Sequence, residues 1–249
     1  MTIPSRSLLC AFSFCLIQGA SADTGTNWPL PTPPPGTNPA TFAVPRNDWM
    51  SGFTENVENA KKSKIDLVFE GDSITAGWRG TGRDVFAARY LPLHAFSFGI
   101  GGDRTENVLW RLQHGELDGL EPKLIVLLIG TNNVARGDTA QQVADGIAAD
   151  VKEMSTRCPN AHILMLAIFP RGEAVNYPFR AKIDEINKLI QPLADGKTVT
   201  YLDIGKKFLS PDGTLSPDIM PDFLHPDAKG YTIWADGIQD VVSQYVKGS

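Results

Sequence analysis

Short apolar runs alternate with segments whose apolar residues recur every three or four positions. Ile65–Phe69, His94–Phe98, Leu124–Ile129, His162–Ile168 and Val199–Asp203 are the short runs, and none shows strict polar alternation. A strand covered on both faces needs no polar side, so these runs predict inner strands of a parallel sheet. Between them Arg83–Tyr90, Thr105–Gln113, Thr139–Ser155 and Val175–Leu193 have the spacing of amphipathic helices. Asp138 and Thr139 supply N-cap chemistry for the third. Arg46–Lys64, with Trp49, Phe53, Val57 and Ala60 in step, predicts a helix ahead of the first strand. Tyr231–Val246 predicts a closing helix that buries Ile233, Ile238, Val241, Val242 and Tyr245. Such alternation implies one α/β domain, with right-handed crossovers and helices on both faces of the sheet.

The beginning of the chain reads differently. Arg6 gives a positive start, Leu8–Ile17 an apolar stretch and Ala20-Ser21-Ala22 a small-residue cleavage site. Residues 1–22 therefore predict a signal peptide and a secreted or periplasmic protein. The apolar stretch is shorter than the roughly 20 residues of a spanning helix, so no stable membrane insertion is expected after cleavage. Cleavage removes Cys10 and Cys15 and leaves Cys158 alone, so the domain must hold together without an internal disulfide. Residues 23–40, centred on Pro33-Pro34-Pro35, suit neither helix nor inner strand and read as a passive, extended linker. Residues 41–249 remain for the domain. A net charge of −5 argues against a nucleic-acid partner. The one compact basic run, Lys61-Lys62-Ser63-Lys64, suits a solvated helix C-terminus.

Open parallel sheets build their sites beyond the carboxyl ends of the strands, and unusual residues gather there. Gly71-Asp72-Ser73 follows the first run, Gly99-Ile100-Gly101-Gly102-Asp103 the second and Gly130-Thr131-Asn132-Asn133 the third; Asp222-Phe223-Leu224-His225 precedes the last helix. A serine hydroxyl is a weak nucleophile without a base. Among four histidines, His225 has a carboxylate three residues before it, and one turn can place Asp222 and His225 on a common face. Asp222 would fix the imidazole tautomer while His225 takes the Ser73 proton. The N–H groups of Ser73 and Gly102 and the Asn132 amide are candidate donors to a tetrahedral oxyanion. Glycine at 102 also lets the backbone approach a substrate without a Cβ in the way.

These four blocks resemble the SGNH (GDSL-type) hydrolase superfamily, most closely the platelet-activating-factor acetylhydrolase catalytic subunits. Phe98–Asp103 continuing into Val108-Leu109-Trp110-Arg111-Leu112 carries the closer likeness, and the resemblance runs in order from Ile65 to about Tyr245. It implies a flavodoxin-like three-layer α/β/α sandwich whose five-stranded parallel sheet has the order 2-1-3-4-5. It also implies a metal-free ester hydrolase with Ser73 as nucleophile, Asp222 and His225 completing a triad, and Gly102 and Asn132 as oxyanion donors. Asn133 stands where many members have Asp, and it reads as a structural variant. The signal and linker are foreign to the intracellular enzymes, so their lipid substrate does not carry over; exported members resemble carbohydrate acetylesterases.

Other residues read as structure. Asp103 and Arg104 suit a local ion pair, and Arg171-Gly172 stands at the site edge as a candidate lining of the acyl pocket. His94, His114 and His162 lack metal-ligand spacing, and Cys158 reads as an unreactive thiol. Arg104 occupies the place of the third glycine in a dinucleotide fingerprint, so no cofactor is expected. The leading expectation is an esterase for short acyl groups on a small-molecule or polysaccharide ester. The alternatives are a lysophospholipase or thioesterase for longer chains, and a non-catalytic carbohydrate-binding domain of the same fold.

Overall fold

The computed structural model describes residues 30–246; the expected signal peptide and the first part of the linker lie outside the described residues. Strands β1 (Leu67–Gly71), β2 (Ala95–Ser97), β3 (Leu124–Leu128), β4 (His162–Leu166) and β5 (Val199–Leu202) form one all-parallel sheet. Its order is β2-β1-β3-β4-β5, as expected. The helices are α1 (Met50–Ala60), α2 (Ser73–Ala76), α3 (Arg83–Arg89), α4 (Thr105–Gln113), α5 (Thr131–Arg136), α6 (Ala140–Arg157), α7 (Pro178–Ile190) and α8 (Ala228–Tyr245).

Alternate strand residues divide between two apolar layers, which is why the runs lack a polar side. Val68, Ile125, Leu127, Ile163 and Met165 pack with Val108 of α4, Ile147 and Met154 of α6 and Ile186 of α7. Leu67, Phe69, Val126, Leu128 and Leu164 pack with Phe86 of α3 and with Trp234, Ile238 and Val242 of α8. A third cluster joins Trp49, Met50 and Phe53 to Ile100 and Trp110, seating α1 beside α4.

Several boundaries differ from expectation for local reasons. α7 begins at Pro178, because proline fits a first helical turn where its missing N–H costs nothing. Thr139 is the N-cap of α6: its Oγ1 accepts from Gln142 N at 3.2 Å, and the Gln142 side chain accepts from Thr139 N at 2.9 Å. α2 and α5 are too short to leave a periodic trace in sequence. The end of the proline-rich segment is docked, whereas a passive spacer was expected. Asn38 Nδ2 donates to Gln142 O at 3.1 Å, Ala40 is buried, and Thr105 Oγ1 donates to Ala40 O at 2.7 Å. Val44 and Asn107 extend this attachment, with Val44 N donating to Glu106 O and Asn107 Nδ2 to Val44 O.

Trp78 is the aromatic hub of the α3–α8 layer, with ring centroids 4.6 to 5.9 Å from Phe69, Phe86, Tyr90, Tyr231 and Trp234. Truncating it would leave a cavity between rigid rings that cannot collapse into it. Trp78→Ala should lower unfolding stability by about 3–5 kcal/mol, measured by denaturant titration; a loss below about 1 kcal/mol would contradict this packing account.

Candidate active site

The site starts where β1 stops. A Cβ at Gly71 would lie 2.1 Å from Leu128 O, so only glycine lets β1 and β3 close this tightly before the chain turns. Asp72 then caps α2, its Oδ1 accepting from Ile74 N at 2.9 Å, and Ser73 becomes the first residue of that helix. β1 runs on to β2 on one side and its neighbour β3 runs on to β4 on the other, so the connections leaving β1 and β3 diverge and open a crevice at the carboxyl ends of the strands.

The loop before α8 meets this turn. Phe223 adopts a left-handed conformation (φ 57°), and its carbonyl accepts from Gly172 N at 2.8 Å. Asp222 Oδ1 accepts from the N–H groups of Leu224 at 3.0 Å and His225 at 2.7 Å. A side-chain-capped turn, rather than a turn of helix, therefore brings Asp222 and His225 together. His225 Nε2 is 2.9 Å from Ser73 Oγ, and its Nδ1 is 2.6 Å from Asp222 Oδ2. Tyr231 Oη donates to Ile74 O at 2.6 Å and so locks α8 onto α2. Partial burial pushes the Asp222 carboxyl up, but the His225 ring and the His225 and Leu224 N–H groups outweigh it and hold the carboxyl below its usual range. Burial drives Asp72 the other way, to about 7, against the Ile74 N–H. The His225 and Asp222 side chains are 42% and 55% exposed, so the pair lies at an open mouth.

The other two strand ends reach the same crevice. Ile100–Asp103 form a turn closed by Asp103 N to Ile100 O, with Gly102 at φ 79°. A Cβ built on Gly101 would stand 3.9 Å from Ser73 Cβ, which sets this turn beside the serine. Asn132, in the first turn of α5, donates one amide hydrogen to Asp103 O at 2.8 Å; an amide nitrogen carries a second. Ser73, Gly102, Asn132, Asp222 and His225 thus surround one crevice.

With the geometry in hand, comparison with known proteins is decisive: the GDSL-like lipase/acylhydrolase family model matches residues 69–233. The chain belongs to that family. Platelet-activating factor acetylhydrolase IB subunit alpha1 of Homo sapiens is 39% identical over 202 residues, 78% of this chain and 85% of the relative. The alpha2 subunit of Rattus norvegicus is 39% identical over 200 residues, covering 80% and 85%. A GDSL-like lipase from Bacteroides thetaiotaomicron shares the fold with a TM-score of 0.62 and 22% identity, covering 79% of this chain and 96% of that one. An acetylxylan esterase from Geobacillus stearothermophilus does so with a TM-score of 0.59 and 19% identity, covering 75% and 98%. This GDSL-family chain is a carboxylic ester hydrolase.

The remaining candidates fall into place around the crevice. Arg104 does not pair with Asp103: Arg104 Nε donates to Glu106 at 2.6 Å, while Asp103 is buried between Arg111 (2.9 Å) and Arg46 (3.2 Å). Burial pushes the Asp103 carboxyl up to about 6, against the pull of those two guanidinium groups. Arg171 Nη1 donates to Thr131 O and Oγ1, both at 3.1 Å, and helps line a cavity of about 420 Å³ beside Asp222. His94 bonds Asp66, and His162 bonds Thr200 and Lys197 O. His114 stacks on Trp110. Burial pushes the Cys158 thiol up to about 11. Among the described residues, no group of three or more His, Cys, Asp or Glu side chains is placed to hold a metal ion. No helix among them is long and apolar enough to cross a membrane. Arg46, Glu70 and Glu116 had no signal beyond their charge, and Arg111 entered only as part of the Val108–Leu112 likeness. Nothing in periodicity marks a charged residue as buried, and Arg46 lies between a linker and a helix.

Asn133 is fully buried and keyed to its neighbours. Its Oδ1 accepts from Thr105 N at 3.1 Å, and its Nδ2 faces Thr105 Oγ1 (3.2 Å), Glu106 Oε2 (3.1 Å) and Asp138 Oδ2 (3.1 Å). Asn133→Asp would turn the donor that faces two carboxylates into an acceptor. That substitution should destabilise the fold by about 1–3 kcal/mol; an unchanged thermal midpoint at neutral pH would contradict the assigned amide orientation.

Proposed function

We propose that the protein is an exported serine esterase that removes short acyl groups, acetyl above all, from carbohydrate. The observation that carries the reading is the hydrogen-bonded chain from Ser73 through His225 to Asp222. Ser73 Oγ attacks the ester carbonyl as His225 Nε2 takes its proton, while Asp222 holds Nδ1–H and steadies the imidazolium. The tetrahedral oxyanion receives hydrogen bonds from the Ser73 and Gly102 N–H groups and the Asn132 amide. Collapse of the intermediate expels the alcohol, which takes the proton from His225. Water then repeats the sequence on the acyl-serine and releases the carboxylic acid. Each proton is returned, so the cycle leaves the enzyme unchanged.

The mouth of the site supports this substrate class. Arg171, Glu173 and Tyr177 line the cavity beside Asp222 together with Ala174, Phe223 and Leu224, and this mixed wall offers polar partners to a hydroxyl-rich alcohol. The half-exposed Asp222–His225 pair leaves room for a bulky polymer to approach. The names of an acetylxylan esterase and of the acetylhydrolase relatives point toward acetyl as the acyl group. The export signal read in residues 1–22 would bring the enzyme to acetylated polysaccharide outside the cytoplasm.

Two measurements test this reading. Ser73→Ala should lower kcat on the order of 10⁴- to 10⁶-fold while the protein stays folded, and it should abolish covalent labelling by a fluorophosphonate. A folded Ser73→Ala variant with near-normal turnover would overturn this mechanism. Across p-nitrophenyl esters, kcat/KM should peak at acetate or propionate and fall beyond butyrate, because each added CH₂ contributes its about 0.8 kcal/mol only where the site has room. Acetate release from acetylated xylan should exceed acyl release from phospholipid. A steady climb through octanoate and decanoate would replace this substrate class with the lysophospholipase or thioesterase alternative.

A further inference from the structure

The family match begins at residue 69, yet a side chain from upstream of α1 reaches the catalytic crevice. Arg46 Nη1 donates to Gly101 O at 2.9 Å and to Asp103 Oδ1 at 3.2 Å. Its guanidinium lies over Gly102, where a Cβ would come within 2.8 Å of Nη1. Asp48 holds the other side of the fork, accepting from Arg46 Nε at 3.1 Å. The segment carrying Arg46 is itself fixed, by Val44 N to Glu106 O before it and by Trp49 packed on Trp110 after it.

We propose that Arg46 is a positioning residue that fixes the orientation of the Gly101–Gly102 peptide and so aims the Gly102 N–H at the developing oxyanion. This rests on reading Gly102 as an oxyanion donor. The carbonyl of Gly101 and the N–H of Gly102 belong to the same planar unit and point in opposite directions. Holding the carbonyl from one side therefore directs the N–H to the other. A peptide between two glycines has little steric resistance to rotation, and a flip would present a carbonyl oxygen to the oxyanion in place of a donor. Arg46 opposes that flip with a charge-assisted hydrogen bond. Donation to the carbonyl also polarises the peptide and strengthens its N–H as a donor. The next residue is anchored as well, with Asp103 O accepting from Asn132 and Asp103 Oδ2 from Arg111. Arg46 closes the end of the turn that those bonds leave free.

The experiment compares Arg46→Ala, Arg46→Lys and Ser73→Ala on p-nitrophenyl acetate, with circular dichroism and thermal melts on each. Removing a whole oxyanion donor costs about 10²- to 10³-fold in kcat. Loosening one through its peptide should cost about 10- to 100-fold, with KM within about threefold, because the contact strengthens only as charge develops. Affinity for a boronic acid that forms a tetrahedral serine adduct should fall by a similar factor. Millimolar methylguanidinium should restore part of the Arg46→Ala rate. Arg46→Lys, which retains a cationic donor, should lie between wild type and Arg46→Ala, and it carries the test should the alanine variant not fold. Folded variants with kcat within twofold of wild type, or with KM alone altered, overturn the proposal. Inactive Ser73→Ala beside unaffected Arg46 variants would remove only the clamp, whereas active Ser73→Ala would remove the esterase mechanism beneath it.

Discussion

One buried cation ties the two halves of the crevice together. The Arg111 guanidinium, fully enclosed, donates to Glu70 Oε1 at 2.6 Å and Asp103 Oδ2 at 2.9 Å, and it pairs with Glu116. It also reaches the carbonyls of Gly71 and Phe98, both at 3.3 Å, at the exits of β1 and β2. Burial favours the neutral form of a guanidinium, but the Glu116, Glu70 and Asp103 carboxylates outweigh this and keep Arg111 charged. Burial in turn pushes the Glu116 carboxyl up, against the pull of Arg111. A buried ion of this kind is a poor source of net stability, since desolvation offsets most of its attraction. Its value here is geometric. Five N–H donors in a rigid fork fix the serine turn and the Gly101–Asp103 turn relative to each other.

The order of the sheet explains why these turns can form a site. β1 is flanked by β2 and β3, and the connections from the three strand ends leave in different directions above a common floor. Ser73 comes from the first exit, Gly102 from the second and Asn132 from the third, while His225 arrives from the loop before α8. Short hydrogen bonds then fix the details: Tyr231 to Ile74 O, Phe223 O to Gly172 N, and Asn132 to Asp103 O. Catalytic chemistry on such a platform depends on orientation held in advance, because donors that need no reorganisation stabilise the transition state most. The mouth itself stays open, with the His225 and Asp222 side chains about half exposed.

Much of this was legible along the chain. The apolar runs marked five strands because burial on both faces removes the polar alternation that an exposed face imposes. Ser73, Gly102, Asn132, Asp222 and His225 stood out because unusual residue types fell at successive strand ends, a pattern that chain order preserves. The docked Asn38–Val44 segment was not legible. Proline-rich composition reports what a backbone cannot do, and says nothing of the surface it rests on. α2 and α5 escaped because one turn and a half of helix contains too few residues to show a period.

The sequence by itself determined the layered α/β fold and the ester-hydrolase class, and it marked Ser73, Gly102, Asn132, Asp222 and His225 as the candidate residues. These follow from local pattern, namely hydrophobic period, glycine at strand exits, and an acid three residues before a histidine. Only the tertiary structure decided that Asp222 and His225 meet through a capped turn with Phe223 left-handed, that Asp103 belongs to Arg111 and Arg46 and not to Arg104, and that an arginine ahead of α1 grips the Gly101 carbonyl. Each of those contacts joins atoms whose partner is chosen by packing, and for Asp103 and Arg46 other charged partners lay nearer in the chain. A charged side chain several bonds long can satisfy itself locally or across the fold. The fully assembled core, by excluding water and fixing distances, selects between the two.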